Sequence, residues 1–132
     1  MKGANLSNAN LSRFGGGALA NADLRGANLT GAKLGGDLSN ANFDGAILYK
    51  VTFFYAVLVG ASFKSADLAY ATFHFSDIRN VDFSDANLTQ ADFSGVKRID
   101  GKVVILTIQE GSTINFKNAD VSGARMPQYR RS

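Results

Sequence analysis

Histidine, cysteine and paired carboxylates are the side chains that most often carry out chemistry, and this chain is poor in the first two. Its 132 residues include one histidine, His74, and no cysteine. A lone imidazole builds neither a multi-histidine metal site nor a histidine-based catalytic triad. Without cysteine there is no thiolate nucleophile, no disulfide and no redox indication of compartment. Carboxylates are denser: Asp67, Asp77, Asp82, Asp85 and Asp92 fall in one stretch, and paired carboxylates can serve acid–base chemistry. Their spacing argues against that use. Asp67, Asp77, Asp82 and Asp92 are separated by multiples of five residues, so they belong to a structural period. Asp85 falls outside the series and reads as a surface charge. Gly15-Gly16-Gly17 lacks the Gly-Lys-Ser/Thr that a phosphate loop requires. Asn5-Leu6-Ser7, Asn10-Leu11-Ser12, Asn28-Leu29-Thr30 and Asn87-Leu88-Thr89 match the glycosylation sequon, but the same period generates them. No catalytic residue, cofactor site or metal site is expected.

The period itself decides the architecture. Ala4-Asn5-Leu6-Ser7-Asn8 is followed by Ala9-Asn10-Leu11-Ser12-Arg13, and the pattern returns at Ala22-Asp23-Leu24, Ala27-Asn28-Leu29, Ala86-Asn87-Leu88 and Ala91-Asp92-Phe93. The longest unbroken run has centres Leu38, Phe43, Leu48, Phe53, Leu58, Phe63, Leu68, Phe73, Ile78, Phe83, Leu88 and Phe93. A small residue precedes each centre by two, mostly alanine, otherwise Gly36, Val51, Ser76 or Val81. Neither the helical period of 3.6 nor the strand period of 2 keeps every fifth residue on one face. A square coil does, with four pentapeptides to a turn of twenty residues. The centre and the small residue before it point inward, so a large side chain always has a small neighbour and the narrow interior fills without strain. One such coil buries nothing alone, and stacking makes the core continuous.

These residues resemble the pentapeptide-repeat family, whose motif is roughly Ala-Asn/Asp-Leu/Phe-x-x. The resemblance implies an all-β fold, a right-handed quadrilateral parallel β-helix. About six coils would stand about 29 Å tall at strand spacing. The whole chain, 1–132, reads as a single domain. Regular repeats run over 4–95, with glycine irregularities near 15–17 and 35–36. A degenerate coil or loop occupies 96–113, final repeats 114–126 and a tail 127–132. Pro127 cannot donate to a ladder and ends the stacking.

Residues twenty apart should lie above one another, which defines four faces. Face A carries Leu38, Leu58 and Ile78, and face B carries Phe43, Phe63 and Phe83. Face C carries Leu48, Leu68 and Leu88, and face D carries Phe53, Phe73 and Phe93. Two phenylalanine ladders are therefore expected to meet across the core. The step from Leu11 to Leu19 is eight residues, which predicts a glycine bulge at 15–17. The step from Leu34 to Leu38 is four, which predicts one missing residue at Gly35-Gly36. Phe93 and Phe116 are 23 residues apart. Val103 and Ile108 keep phase with Phe93, so a degenerate coil with a short bulge is favoured, which would place Phe116 on face D. The rival is a projecting hairpin over Val103–Ile108 turning at Glu110-Gly111-Ser112.

The outward positions of faces C and D are unusual. Tyr49, Phe54, Tyr55, Tyr70, His74 and Phe75 stand where other repeats hold serine, threonine, asparagine, glycine or lysine. Stacking would bring Phe54 over His74, Tyr55 over Phe75 and Lys50 against Tyr70. Surface rings can simply improve cross-strand packing. A contiguous apolar patch instead marks an interface. The reading favoured is a non-catalytic scaffold or adaptor that contacts a protein partner, or a second copy, through these rings. Some members of the resembling family, of the quinolone-resistance type, bind DNA gyrase by imitating duplex DNA with a strongly acidic surface. Fourteen basic against eleven acidic residues, a net charge of +3, do not supply that field. The basic cluster Lys97, Arg98 and Lys102 is small for a nucleic-acid binder. No stretch approaches the roughly 18 apolar residues of a membrane span. Met1-Lys2-Gly3 runs straight into the first repeat without a visible signal peptide, so the default expectation is a cytoplasmic protein. Family members are abundant in bacteria, cyanobacteria especially.

Overall fold

The chain turns a corner every five residues because each repeat closes a four-residue turn. The N–H groups of Ala27, Ala46, Ala61 and Ala91 donate to the carbonyls of Leu24, Phe43, Leu58 and Leu88 at 2.9–3.1 Å. The third residue of the turn takes a positive φ, as at Asn8 (61°), Asn40 (58°), Gly45 (67°) and Gly60 (75°). Glycine and asparagine reach this left-handed region at little cost. The Asn or Asp before each centre locks the corner from the side. Its Oδ1 accepts the N–H two residues on, as in Asn28 with Thr30 (3.1 Å), Asp37 with Ser39 (2.9 Å) and Asp120 with Ser122 (3.0 Å). Where the second residue is Ser or Thr, its hydroxyl donates to the same oxygen: Ser7 to Asn5, Thr30 to Asn28 and Thr89 to Asn87, at 2.6–2.8 Å. The apparent sequons at these sites are therefore doubly bonded turns.

The computed structural model describes residues 1–11, 19–93, 96–99, 102–105 and 114–125. Successive coils pair in parallel at a spacing of twenty residues: Asn42 with Ser62, Ser62 with Asp82, Ile47 with Asp67, Asp67 with Asn87. On face C the bridges run Asn5, Asn28, Ile47, Asp67, Asn87 and Asp120, which is six levels of coil. The fold is an all-β quadrilateral parallel β-helix. No helix among the described residues is long and apolar enough to cross a membrane.

Within the coils, among the described residues, continuous strand is confined to face D and the corner that follows it. There β1 (Asn10–Leu11), β2 (Lys33–Asp37), β3 (Thr52–Val57) and β4 (Thr72–His74) form one parallel sheet in chain order. On β2, β3 and β4 the residue before the centre is Lys33, Thr52 and Thr72, so these three repeats lack the Asx acceptor. Threonine and aromatic residues favour extended backbone instead.

The interior is two phenylalanine ladders. On face B, Phe43, Phe63, Phe83 and Phe116 stack at 4.6–5.4 Å between centroids, and on face D, Phe53, Phe73 and Phe93 stack at 4.6–5.0 Å. Each spacing is close to the inter-strand distance. Between ladders the rings meet edge to face at 5.7–6.4 Å, with interplanar angles of 82–90°. Phe43, Phe53, Phe63, Phe73, Phe83 and Phe93 are fully buried.

Registers report the irregularities. β2 meets β3 nineteen residues apart at Leu34–Phe53 and twenty apart at Gly36–Ala56, so one residue is missing between them. Leu11 pairs with Leu34, 23 residues apart, three more than a coil. The bulge expected at 15–17 itself lies outside the described residues.

The segment after Phe93 departs from the favoured reading. β5 (Val96–Ile99) and β6 (Lys102–Ile105) pair antiparallel, Val96 opposite Ile105 and Ile99 opposite Lys102. This is a hairpin, not a degenerate coil, and its strands differ from those of the rival hairpin over Val103–Ile108. Residues 106–113, with the turn expected at 110–112, lie outside the described residues. The coil resumes with Asn115 beside Asp82, 33 residues on, so thirteen residues are inserted beyond one turn. Phe116 consequently stacks on Phe83 at 5.4 Å and belongs to face B, not face D.

The inward and outward positions should separate cleanly in stability. Phe63 is fully buried between Phe43 and Phe83, so Phe63→Ala is expected to cost about 3–5 kcal/mol. Neighbouring Lys64 is exposed; its ammonium lies 3.8 Å from Asp82, and its hydrogen bonds to Asp44 and Gly45 are made by the backbone. Lys64→Ala should change stability by less than about 0.5 kcal/mol. Urea denaturation of the two variants makes the comparison.

Candidate interaction surface

Face D is built by β2, β3 and β4, and its outward side chains come from alternate positions of those strands. Phe54 on β3 is in register with His74 on β4. The corner after face D carries Tyr55 and, one coil up, Phe75. Their rings stack in parallel at 4.9 Å and 11°. Phe54 meets both edge to face, Tyr55 at 4.5 Å and Phe75 at 5.9 Å. The corner before face D carries Tyr70, which meets Tyr49 edge to face at 5.8 Å. The Lys50 ammonium lies 5.3 Å from the centre of the Tyr49 ring. Sequence stacking placed Lys50 against Tyr70; its backbone is at that level, since its N–H donates to Ala69 O, but the cation lies over Tyr49.

The six candidate residues therefore form two ring groups at the two edges of face D. Phe54, Tyr55 and Phe75 make one, with His74 in register beside Phe54. Tyr49 and Tyr70 make the other. No ring contact joins the groups among the described residues, and the outward Thr52–Thr72 pair lies between them in the strands.

Three of these rings sit on an unfavourable backbone. Tyr55 (φ 50°), Tyr70 (φ 60°) and Phe75 (φ 55°) occupy the left-handed corner position that Asn or Gly fills in most other repeats. A bulky residue held there costs roughly 1–3 kcal/mol. A ring pair returns about 0.5–1.5 kcal/mol beyond burial, and burial is slight, since Tyr55 and Tyr70 remain 60% and 50% exposed. Tyr55 and Phe75 each make two ring contacts, so packing within the chain recovers part of that strain.

Two features escaped the sequence reading. The small inward position at 76 is serine, fully buried. Its Oγ accepts the Ala56 N–H and donates to the His74 carbonyl, both at 3.3 Å, so it ties β3 to β4 at the aromatic corner. Its signal was a hydroxyl where alanine is the rule. The second is Gly35, the one residue that stands a level below Phe54 and Tyr55, since Leu34 pairs with Phe53 and Gly36 with Ala56. Gly35 brings no side chain to that level and is itself buried.

The remaining surface is electrostatically mixed. Asp23 pairs with Arg25 at 2.7 Å, Asp77 with Arg79 at 2.6 Å and Lys64 with Asp82 at 3.8 Å. In the first two, cation and anion are two residues apart on one repeat, so Asp23 and Asp77 are neutralised within their own repeats. No group of three or more His, Asp or Glu side chains is placed to hold a metal among the described residues.

The profile of pentapeptide repeats, in eight copies, matches residues 12–53, 46–85 and 56–95. These matches span more than half of the chain, which belongs to the pentapeptide-repeat family. Among solved structures it is similar to Rfr23, a pentapeptide repeat protein of the cyanobacterium Cyanothece 51142. The identity is 23% and the TM-score 0.50, covering 92% of this chain and 83% of that one; this likeness concerns the fold. A pentapeptide repeat protein from Nostoc PCC 7120 is 30% identical over 67% of each chain, with a TM-score of 0.40. HetL, a pentapeptide repeat protein involved in heterocyst differentiation regulation in Nostoc sp. strain PCC 7120, is 31% identical. It covers 96% of this chain and 52% of HetL, with a TM-score of 0.39. No curated protein matches the chain significantly.

The Asx bonds predict acid sensitivity. Hydrogen bonds from Ser39 hold the Asp37 carboxyl below its usual range, those from Ser122 do the same for Asp120, and Arg25 for Asp23. A folded value below the unfolded one contributes stability that is complete above the unfolded range, near pH 4. That contribution fades as pH falls through the folded values. The melting temperature should hold between about pH 7 and pH 5 and drop below about pH 4. Asp37→Asn, which keeps the acceptor but cannot titrate, should weaken that acid dependence in a series of thermal melts.

Proposed function

We propose that this protein is a non-catalytic interaction module, a scaffold or adaptor whose contact surface is face D with its two aromatic corners. The observation that supports this reading is the placement of exposed rings on left-handed corners, where they strain the backbone and bury little. An interface gathers aromatic residues at its centre and excludes charge there. Phe54, Tyr55, His74 and Phe75 form such a centre, and Lys50 lies at its edge. The rings should be hot spots, where truncation commonly costs upwards of about 2 kcal/mol of binding.

Phe54 is exposed and Phe75 half-buried on the outside of the coil, so Phe54→Ser with Phe75→Ser should leave the fold largely intact. The double variant should lose any complex that the wild type forms in a pull-down from its native host, while its circular dichroism spectrum stays unchanged. A complex that survives the double substitution would remove the rings from the contact.

Imitation of duplex DNA is disfavoured by the same surface. A net charge of +3 and acids paired within their own repeats leave no regular negative stripe. Purified protein is expected not to inhibit DNA gyrase at low micromolar concentration in a supercoiling assay.

A further inference from the structure

Around the aromatic corners the acids are engaged and the lysines are not. The outward column of face D reads, from the lowest coil to the highest, Asn10, Lys33, Thr52, Thr72, Asp92 and Arg125. Lys33 is exposed on that column, and Lys50 is exposed at the corner before it. Neither meets a carboxylate among the described residues, where the ion pairs are Arg25–Asp23, Lys64–Asp82 and Arg79–Asp77. The acids of the adjoining levels are held within the chain. Ser39 donates to Asp37, Arg79 pairs with Asp77, and Asp92 has an interaction of its own. A second group of cations stands above the rings. β5 starts three residues beyond Phe93, which stacks on Phe73 at 4.6 Å, so the hairpin is rooted one coil above Phe75. Its strands hold Lys97, Arg98 and Lys102, and Asp100 is the one acid of 96–105. The surface thus has a middle of rings and threonines with positive charge below and above it.

We propose, on the reading of face D as a contact surface, that its occupant is an acidic segment of a protein partner, one in which carboxylates are interspersed with large apolar side chains. The apolar side chains pack on Phe54, Tyr55 and Phe75, and the carboxylates answer Lys33, Lys50 and the hairpin cations. Complementary charge of this kind selects the partner and speeds its arrival. The basic cluster of the hairpin, too small to hold a duplex, thereby gains a use. Nucleic acid fits the surface less well. A single strand stacks its bases on free ring faces, whereas Tyr55 and Phe75 stack on each other and Tyr70 meets Tyr49 edge to face. A duplex needs a concentrated basic stripe, and here rings and threonines separate the two groups of cations.

Fluorescence anisotropy with the full chain and three labelled probes tests this. The probes are a peptide repeating Asp-Leu-Glu-Phe, the same peptide with lysine in place of each acid, and a single-stranded oligothymidylate. The acidic peptide should bind at least about tenfold more tightly than the lysine peptide, and salt should weaken it. Lys33→Glu with Lys50→Glu should cost about tenfold or more in its affinity, and so should Lys97→Glu with Lys102→Glu. Lys2→Glu with Lys117→Glu makes the same change in net charge at the face B side, where Gly3 N–H donates to Arg25 O and Asp85 N–H to Lys117 O. That pair should alter the affinity by about twofold or less. Circular dichroism melts restrict the comparison to folded variants. An acidic peptide that fails to bind, or binds no better than the lysine peptide, overturns the proposal. So does an equal loss from the face B pair, which would reduce the effect to net charge. Tighter binding of the oligothymidylate overturns it in favour of nucleic acid. If the acidic preference is absent while Phe54→Ser with Phe75→Ser still removes the host complex, the interaction surface stands and the acidic partner is refuted. If the acidic peptide binds the ring double variant as it binds wild type, the rings are not the contact and both readings fall.

Discussion

Stacking of like on like through the axis of the coil is the interaction on which the rest of this molecule depends. Each inward phenylalanine lies flat against the one a coil above and edge-on to the ladder opposite, so every ring serves two kinds of aromatic contact at once. The geometry works because the coil spacing and the ring spacing are nearly the same length. A small residue two positions before each centre leaves the room. In the first and last described coils Leu6, Leu11 and Phe116 are only partly buried.

The corners follow from that constraint. A core four side chains wide forces the backbone to turn every five residues, and the turn forces a left-handed residue. Asn and Gly satisfy it cheaply, and the Asx oxygen satisfies an N–H that would otherwise be strained toward solvent. Face D solves the same problem differently. At its middle levels, where Lys33, Thr52 and Thr72 replace the Asx residue, it runs as strand, and Ser76 supplies the acceptor for Ala56 from the neighbouring coil. The same corner holds the rings, so the place where the repeat chemistry changes is also the place where side chains are exposed at a cost to the backbone. Local departures from an otherwise consistent pattern are where function is expected to lie.

The surface is thus separable from the fold. Outward positions can be changed without disturbing the ladders, which explains how one architecture carries unrelated surfaces on its faces. Here three faces are dressed mainly with short-range Asx bonds and ion pairs, within a repeat at Asp23–Arg25 and Asp77–Arg79 and between coils at Lys64–Asp82. Face D is dressed at its middle levels with rings and threonines instead.

By itself the sequence determined the period, the inward and outward assignment and the two ladders. Side-chain direction at each repeat position is set by the local turn, so counting in fives is enough. It also determined that the Asn/Asp position is structural, because an Asx bond spans only two residues. Counting failed after Phe93. There Val103 and Ile108 kept phase by coincidence, whereas the flanking segments Val-Lys-Arg-Ile and Lys-Val-Val-Ile around Asp100-Gly101 had the composition of a short hairpin. Only tertiary structure decided between coil and hairpin, because that choice depends on pairing between strands and not on local preference. The face of Phe116 followed from it. Tertiary structure also split the aromatic candidates into two groups and laid Lys50 over Tyr49. Long outward side chains choose among neighbours by rotamer and packing, which a one-dimensional period does not encode.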